Sequence, residues 1–226
     1  LPVLNEFPVP VKMTSRQRDL YNRVQDSFKS EIRQEGGKKL LGQFLPTLLS
    51  LPDVNQLSPI IHPEFGHEIF SFKEPSELFH GTDGLLNKER ELIKIVEKEL
   101  EEGRNCFIYA EFTSDGEKNI TERLKSILEE RLGLNNQVAI LKSSSPKAIQ
   151  RMSWIKEKAA EGVKVFITNP KNVETGLDFI FKHKGRVYNY PTIIFYQLGY
   201  NLFTAWQSSA RHKRLIQTEQ CRTYYL

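Results

Sequence analysis

Arg211 and Arg214 lie three residues apart in the stretch AWQSSARHKRLIQ, with Gln207 ahead of them and Gln217 behind. A guanidinium is a permanently charged planar fork of donors whose geometry matches phosphate and carboxylate oxygens. Residues at i and i+3 share a helix face, so a helix over 203–214 would aim both forks into one cleft. Four further stretches, TSDGEKN, KSSSPK, NPKNVETGLD and LGYN, gather hydroxyl, amide and ammonium groups with glycine. That set binds phosphate through side chains and backbone N–H. Surface loops in general share this composition, so its weight depends on where the stretches sit.

Position is set by the elements around them. CFIYAEF, VAIL, VKVFITN, TIIFYQL and RTYYL are short apolar runs, and most are separated by segments with helical periodicity. Strands that are apolar along their whole length and alternate with helices predict an α/β fold, a parallel sheet covered on both faces. In such a sheet ligands collect beyond the carboxyl ends of the strands, which is where the four loops fall. Expected helices are NKERELIKIVEKELEEG, EKNITERLKSILEERLG, a segment opening at Pro146 and closing at Gly162, one over 173–182 and the one carrying the arginines. The first of these pairs Glu with Lys at i and i+4, which predicts a solvated face rather than catalytic carboxylates. Ahead of the sheet, residues 1–13 read as an extended, Pro-punctuated edge strand. Thr14 and Gln17 form a capping box before an apolar stripe of Leu20, Val24, Phe28 and Ile32. A second helical run, KKLLGQFLPTLLSL, is expected to break or kink at Pro46. Residues 51 to 84 read as mostly irregular, making 1–84 a helical linker subdomain and 85–226 the sheet domain.

Motif order narrows this further. VFITNPKNVETGLDF resembles motif V of superfamily 2 helicases, and QSSARHKRLIQ resembles their motif VI in the Q-x-x-x-R-x-x-R-x-x-Q form of Swi/Snf-type translocases. CFIYAEFTSDGEKNITERLKSILEE has the place and shape of motif IV, and AIQRMSWIKE matches the segment with an arginine just before motif V. VPVKMTSRQRDLYNRV resembles the segment joining the two lobes of such enzymes. The phrase from NPKNVETGLDF to HKRLIQ is similar to helicase-like proteins often carried on mobile elements. The resemblance implies a RecA-like C-terminal lobe of the P-loop NTPase type over 85–226. It implies an ATP-dependent DNA helicase or translocase, with ATP and Mg²⁺ held mainly by a preceding N-terminal lobe. Arg211 and Arg214 would then stabilise the charge on a transferred phosphoryl group. Asp178 would contact the ribose or those arginines, Gly176 would allow close backbone approach, and Gln207 would orient the motif or touch the nucleotide. Thr113, Ser114, Lys142, Ser143, Asn169 and Lys171 would bond the DNA backbone without reading sequence. Ala210 and Ile216 depart from the residues usual in motif VI, which keeps open a degenerate lobe that only binds nucleic acid or protein.

Exclusions follow from what the 226 residues contain. No G-x-x-x-x-G-K-[ST] phosphate loop occurs, so this chain alone is expected not to hydrolyse ATP. It starts at LPVLNEFP without Met and stops inside a strand-like run, so it is expected to be a piece of a longer parent. The 32 bases against 28 acids give a mild positive balance, compatible with a polyanion but far from a nucleic-acid-binding tail. Cys106 and Cys221 show neither disulfide nor thiolate-metal spacing, the five histidines show no zinc spacing, and no Gly-x-Ser-x-Gly elbow marks a hydrolase. No apolar run approaches the ~20 residues of a membrane span, and no signal peptide opens the chain, so a reducing cytoplasm is expected. A nucleotide-sugar transferase lobe, which also binds diphosphates at strand ends, would need no paired arginines.

Overall fold

The computed structural model describes residues 2–34, 37–53, 58–73, 80–113, 116, 118–173 and 177–226. The chain opens with β1 (Leu4–Pro8), then α1 (Ser15–Ile32), α2 (Leu41–Ser50) and a small hairpin of β2 (Ile60–Ile61) with β3 (Glu68–Phe70). From α3 (Asn87–Glu101) strands and helices alternate through β4 (Cys106–Tyr109), α4 (Thr121–Leu132), β5 (Val138–Leu141), α5 (Arg151–Ala160) and β6 (Val165–Thr168). A second hairpin, β7 (Ile180–His183) and β8 (Arg186–Asn189), precedes β9 (Thr192–Phe195), α6 (Leu202–Ser209) and β10 (Cys221–Tyr225).

Six strands form one parallel sheet in the order β1-β10-β9-β4-β6-β5. The five strands expected from apolar runs are all present, and β1 is the sixth, on the edge where its prolines are tolerated. Strands β4, β6 and β9 are buried at every position, as a sheet covered on both faces demands. Phe107 stacks between Phe179 at 3.8 Å and Phe166 at 5.0 Å, and Tyr190 closes the cluster edge-on. Leaving β4 the chain crosses past β6 to β5, returns to β6, and then enters the other half of the sheet at β9. Neighbouring strands β4 and β9 therefore send their connections in opposite directions, which opens a crevice beyond their carboxyl ends.

Of the segment 173–182, expected as a helix, residues 174–176 lie outside the described residues, and 177–182 instead lead into the β7–β8 hairpin. Its two-residue turn, Lys184 and Gly185, has φ of 47° and 80°. Positive φ at both positions is the turn whose twist matches that of the strands, and glycine makes half of it free of strain. Leu177, Phe179 and Phe181 are buried and alternate with exposed Asp178 and Lys182, with Ile180 buried between Phe179 and Phe181.

Two compact units make up the chain: Leu1–Pro10 with Glu89–Asp115 and Asn119–Leu226, and Val11–Lys88 with Gly116–Lys118. The division differs from the expected one at residue 84, because Leu4–Pro8 pair with β10 and join the sheet. In the second unit the Thr14–Gln17 capping box is formed in both directions, at 3.0 and 3.2 Å. Leu20, Val24 and Phe28 of α1 pack with Leu40, Leu48, Ile60 and Leu86. Pro46 sits inside α2 without ending it, so of the expected break or kink the break is absent.

Helix α3 corrects a second expectation, since two of its acids are buried. Glu89 is bound through both carboxylate oxygens by Arg123. Glu99, wholly buried, accepts from Arg104 Nε, Arg222 Nη1 and Tyr224 Oη at 2.7 Å each, and from the Thr192 hydroxyl. Through it α3 grips β9 and β10 near their amino ends, opposite the crevice.

Candidate phosphate-binding site

Polar side chains lock the loops along the carboxyl edge of the sheet. Gln197, just after β9, accepts at Oε1 from the backbone N–H of Glu111 at 3.1 Å and of Phe112 at 3.4 Å. Asn169, just after β6, donates from Nδ2 to the Glu111 carbonyl at 2.6 Å and accepts from the Lys171 N–H at 2.9 Å. Asn172 donates to the Leu141 carbonyl and to the Thr168 hydroxyl, both at 3.2 Å. Arg151 spans two loops, giving Nη1 to the Asn172 carbonyl and Nη2 to the Ser143 carbonyl, both at 3.1 Å. Strand-end loops after β4, β5, β6 and β9 are thus tied by short bonds rather than left to drift, and a ligand meeting them meets preorganised groups.

The arginine segment is built differently from its expectation. Helix α6 ends at Ser209, and Arg211 and Arg214 follow in consecutive turns. Ser208 and Ser209 turn their hydroxyls back to the carbonyls of Ala205 and Trp206, at 3.0 and 2.8 Å. Such local bonding competes with helix continuation. Beyond them His212 is wholly buried, with its Nε2 3.3 Å from the Thr223 hydroxyl, and Cys221 Sγ meets the His212 carbonyl. Gln217 and Asn189 exchange both amide bonds at 2.8 Å, and Gln217 also donates to the His212 carbonyl. His212 and Gln217 therefore pin the segment at two points, and the arginines ride on it.

Arg214 Nε lies 3.3 Å from Asp178 Oδ1, with both side chains well exposed. The pair joins the segment after α6 to the segment before β7. Arg211 is half-buried and lies near Tyr109, whose hydroxyl donates to the Ser208 carbonyl. Burial holds that phenol well above its ordinary range, with the Arg211 charge pulling the other way. Gln207 is half-buried on the last turn of α6.

The expected backbone-binding residues divide. Ser143 and Lys171 are exposed, and half-buried Lys142 is paired with Glu122 at 3.1 Å. Thr113 is buried and Asn169 is consumed by the locks just described, so neither presents a side chain to a phosphate as the structure stands. Ser114 and Gly176 lie outside the described residues. Three residues given no role from the sequence matter here: Gln197, Asn172 and Arg151. The arginine was visible within AIQRMSWIKE, whereas the two amides gave no signal beyond sitting just after strands.

Buried His212 carries a pH prediction. Burial, then the charge of Arg104, lowers its pKa to about 3. The unfolded chain binds a proton near pH 6.5 that the folded chain refuses until about pH 3. Stability contributed by neutral His212 is therefore complete above about 6.5 and is lost as pH falls, by up to about 1.4 kcal/mol per pH unit. Chemical denaturation of wild type and His212→Gln at pH 7.5, 6.5 and 5.5 should show that slope in the wild type only.

No family model matches the sequence, and no curated protein matches it. Solved structures do match. The C-terminal part of the Fun30 ATPase domain superposes with a TM-score of 0.66 at 14% identity, covering 100% of this chain and 85% of that one. The C-terminal domain of a Sulfolobus solfataricus SWI2/SNF2 ATPase gives 0.59 at 17%, covering 99% and 78%. The Sulfolobus solfataricus SWI2/SNF2 ATPase core in complex with dsDNA gives 0.63 at 21%, covering 100% of this chain and 41% of that one. The chain thus has the α/β RecA-like fold of the C-terminal domain of SWI2/SNF2 ATPases. Among the described residues no helix is long and apolar enough to cross a membrane.

Proposed function

We propose that this chain is the C-terminal lobe of an ATP-dependent DNA translocase of the SWI2/SNF2 type, working against an N-terminal lobe of the same parent. The observation that carries the reading is the pinned arginine segment, with Arg214 held beside Asp178, on a fold similar to such lobes. An exposed ion pair is worth little by itself. It is therefore cheap to exchange, and an arriving phosphate can draw Arg214 away from Asp178. Both arginines are half-buried and lie on a segment fixed at His212 and Gln217, which fits an anionic group delivered from a facing surface. Bound ATP with Mg²⁺ would supply the transferable phosphoryl group, with the metal held by acids of the preceding lobe. Arg211 and Arg214 would meet the charge that builds on the phosphoryl oxygens, Asp178 would hold Arg214 in aim between turnovers, and Gln207 would steady the helix end. Lys142, Ser143 and Lys171 would contact a DNA backbone, a sequence-independent and salt-sensitive interaction.

The test is ATP hydrolysis by the parent protein with and without duplex DNA. DNA-stimulated turnover is the expected result. A parent that binds DNA but shows no DNA-dependent turnover would make this lobe a non-catalytic binding module.

A further inference from the structure

One side of the sheet ends at β5, and its outer edge is unpaired among the described residues. The register settles which groups face outward. Val165 N–H donates to the Gln137 carbonyl, and Val138 pairs with Val165 and Ile140 with Ile167. In a parallel ladder alternate residues bond the same neighbour, so Gln137, Ala139 and Leu141 turn toward β6. Val138 and Ile140 turn their N–H and C=O away from it. Those groups open into a groove of about 340 Å³ between α4 and α5, with Trp154 as its apolar wall.

Of the usual defences of an edge strand, a short length, charged side chains, a proline, a bulge or a covering element, β5 shows the first two, in its four residues and the lysines on its rim. Strand β5 has no proline and keeps an unbroken register with β6. Its rim carries Lys125, Lys142 and Lys158 against Glu122 and Glu161. Both acids are already engaged, Glu122 by Lys142 at 3.1 Å and Glu161 by Lys158 at 2.6 Å, while Lys125 reaches its nearest acid, Glu129, only at 3.9 Å. The balance of the rim is positive, and these exposed pairs exchange partners at little cost.

We infer that the β5 edge is a docking site for an extended acidic peptide, which adds a seventh strand to the sheet. Main-chain bonds to Val138 and Ile140 would provide affinity. Alternate side chains of the incoming strand would point toward the α4 side, where carboxylates meet Lys125 and Lys142, and toward the α5 side, where apolar residues meet Trp154. A nucleic-acid backbone fits less well, because it offers acceptors but no N–H to pair with the outward carbonyls, and it must approach Glu122 and Glu161. This site lies on strand β5 and does not depend on the arginine segment.

The probe is a fluorescein-labelled octapeptide of alternating aspartate and valine, titrated into the full 226-residue chain, with an oligothymidylate of similar charge as the competing polyanion. Expected are saturable binding, slowed amide hydrogen exchange at Val138 and Ile140, and at least a tenfold loss of affinity in Ile140→Pro. That proline deletes an outward donor while leaving the ladder to β6 intact, and the circular-dichroism spectrum and thermal midpoint report whether the fold survives. Lys125→Glu with Lys142→Glu, both on the α4 side, gives a second variant outside the strand, expected to reverse preference toward a lysine–valine octapeptide. No binding at millimolar peptide, binding without protection of the two amides, or full competition by the oligothymidylate would each overturn the proposal.

Discussion

Arg214→Ala in the DNA-stimulated parent should lower kcat by about 10³-fold, the scale on which a guanidinium aimed at a transferring phosphoryl group acts. Arg211→Ala should fall in the same range, and the double variant should cost little more than either alone if the two forks act as one unit. Arg214→Lys should not restore the rate, because an ammonium keeps the charge but loses the fork. Asp178→Asn removes the resting partner of Arg214 without touching the reacting oxygens, and its effect should be smaller, about tenfold or less. Steady-state ATPase assays that separate kcat from KM distinguish these cases: an interaction made only in the transition state lowers kcat, while one made equally with bound nucleotide raises KM. An unchanged kcat in Arg214→Ala, with DNA stimulation intact, would remove the arginine from the chemistry.

That test depends on where the arginines point, which was only half legible in the sequence. Their spacing gave the pairing with the motif, but QSSARHKRLIQ contains no glycine or proline and so read as continuing helix. What ends α6 is tertiary. Ser208 and Ser209 bond backward, His212 drops into the space beside β10, and Gln217 reaches the hairpin through Asn189. None of these partners is near in sequence except the serines' own turn. The strands, in contrast, were legible because burial on both faces demands uninterrupted apolar runs, and VFIT and TIIF are short and rich in β-branched residues, which favours strand over buried helix. Pairing of β1 with β10 joins the two ends of the chain, a long-range contact that no local pattern encodes. The misread hairpin had a signal after all, in the alternation of Leu177, Phe179 and Phe181 and the Lys184–Gly185 turn. Thr113 and Asn169 show the limit for site residues: loop composition suggested phosphate ligands, and the structure spends one on burial and the other on holding Glu111.

Glu99→Ala should be among the most destabilising single substitutions in the chain. The carboxylate is wholly buried and serves Arg104, Arg222, Tyr224 and Thr192 together. Removing it leaves Arg104, itself buried, without its main counter-ion, and a charge stranded in this way costs about 3–5 kcal/mol. For a chain of this size each kcal/mol moves the midpoint by about 2–4 °C, so a fall on the order of 10 °C is expected in thermal denaturation. Glu99→Gln keeps the shape and two polar atoms but not the charge, and should recover only part of the loss. Acid acts on the same group. Burial pushes the Glu99 pKa up, but the bonds from Thr192, Arg222, Tyr224 and Arg104 outweigh it and hold the group below its ordinary value. Stability from ionised Glu99 is therefore complete above the carboxylate range of the unfolded chain and is lost as pH falls through the lower, folded value. In wild type the His212 slope begins near pH 6.5 and the Glu99 slope adds to it only below about 4.5. The double variant His212→Gln with Glu99→Gln should flatten both; a wild-type stability that stayed constant from pH 6.5 to pH 4.5 would contradict the buried, neutral His212, and a slope that failed to steepen below pH 4.5 would contradict the buried, ionised Glu99.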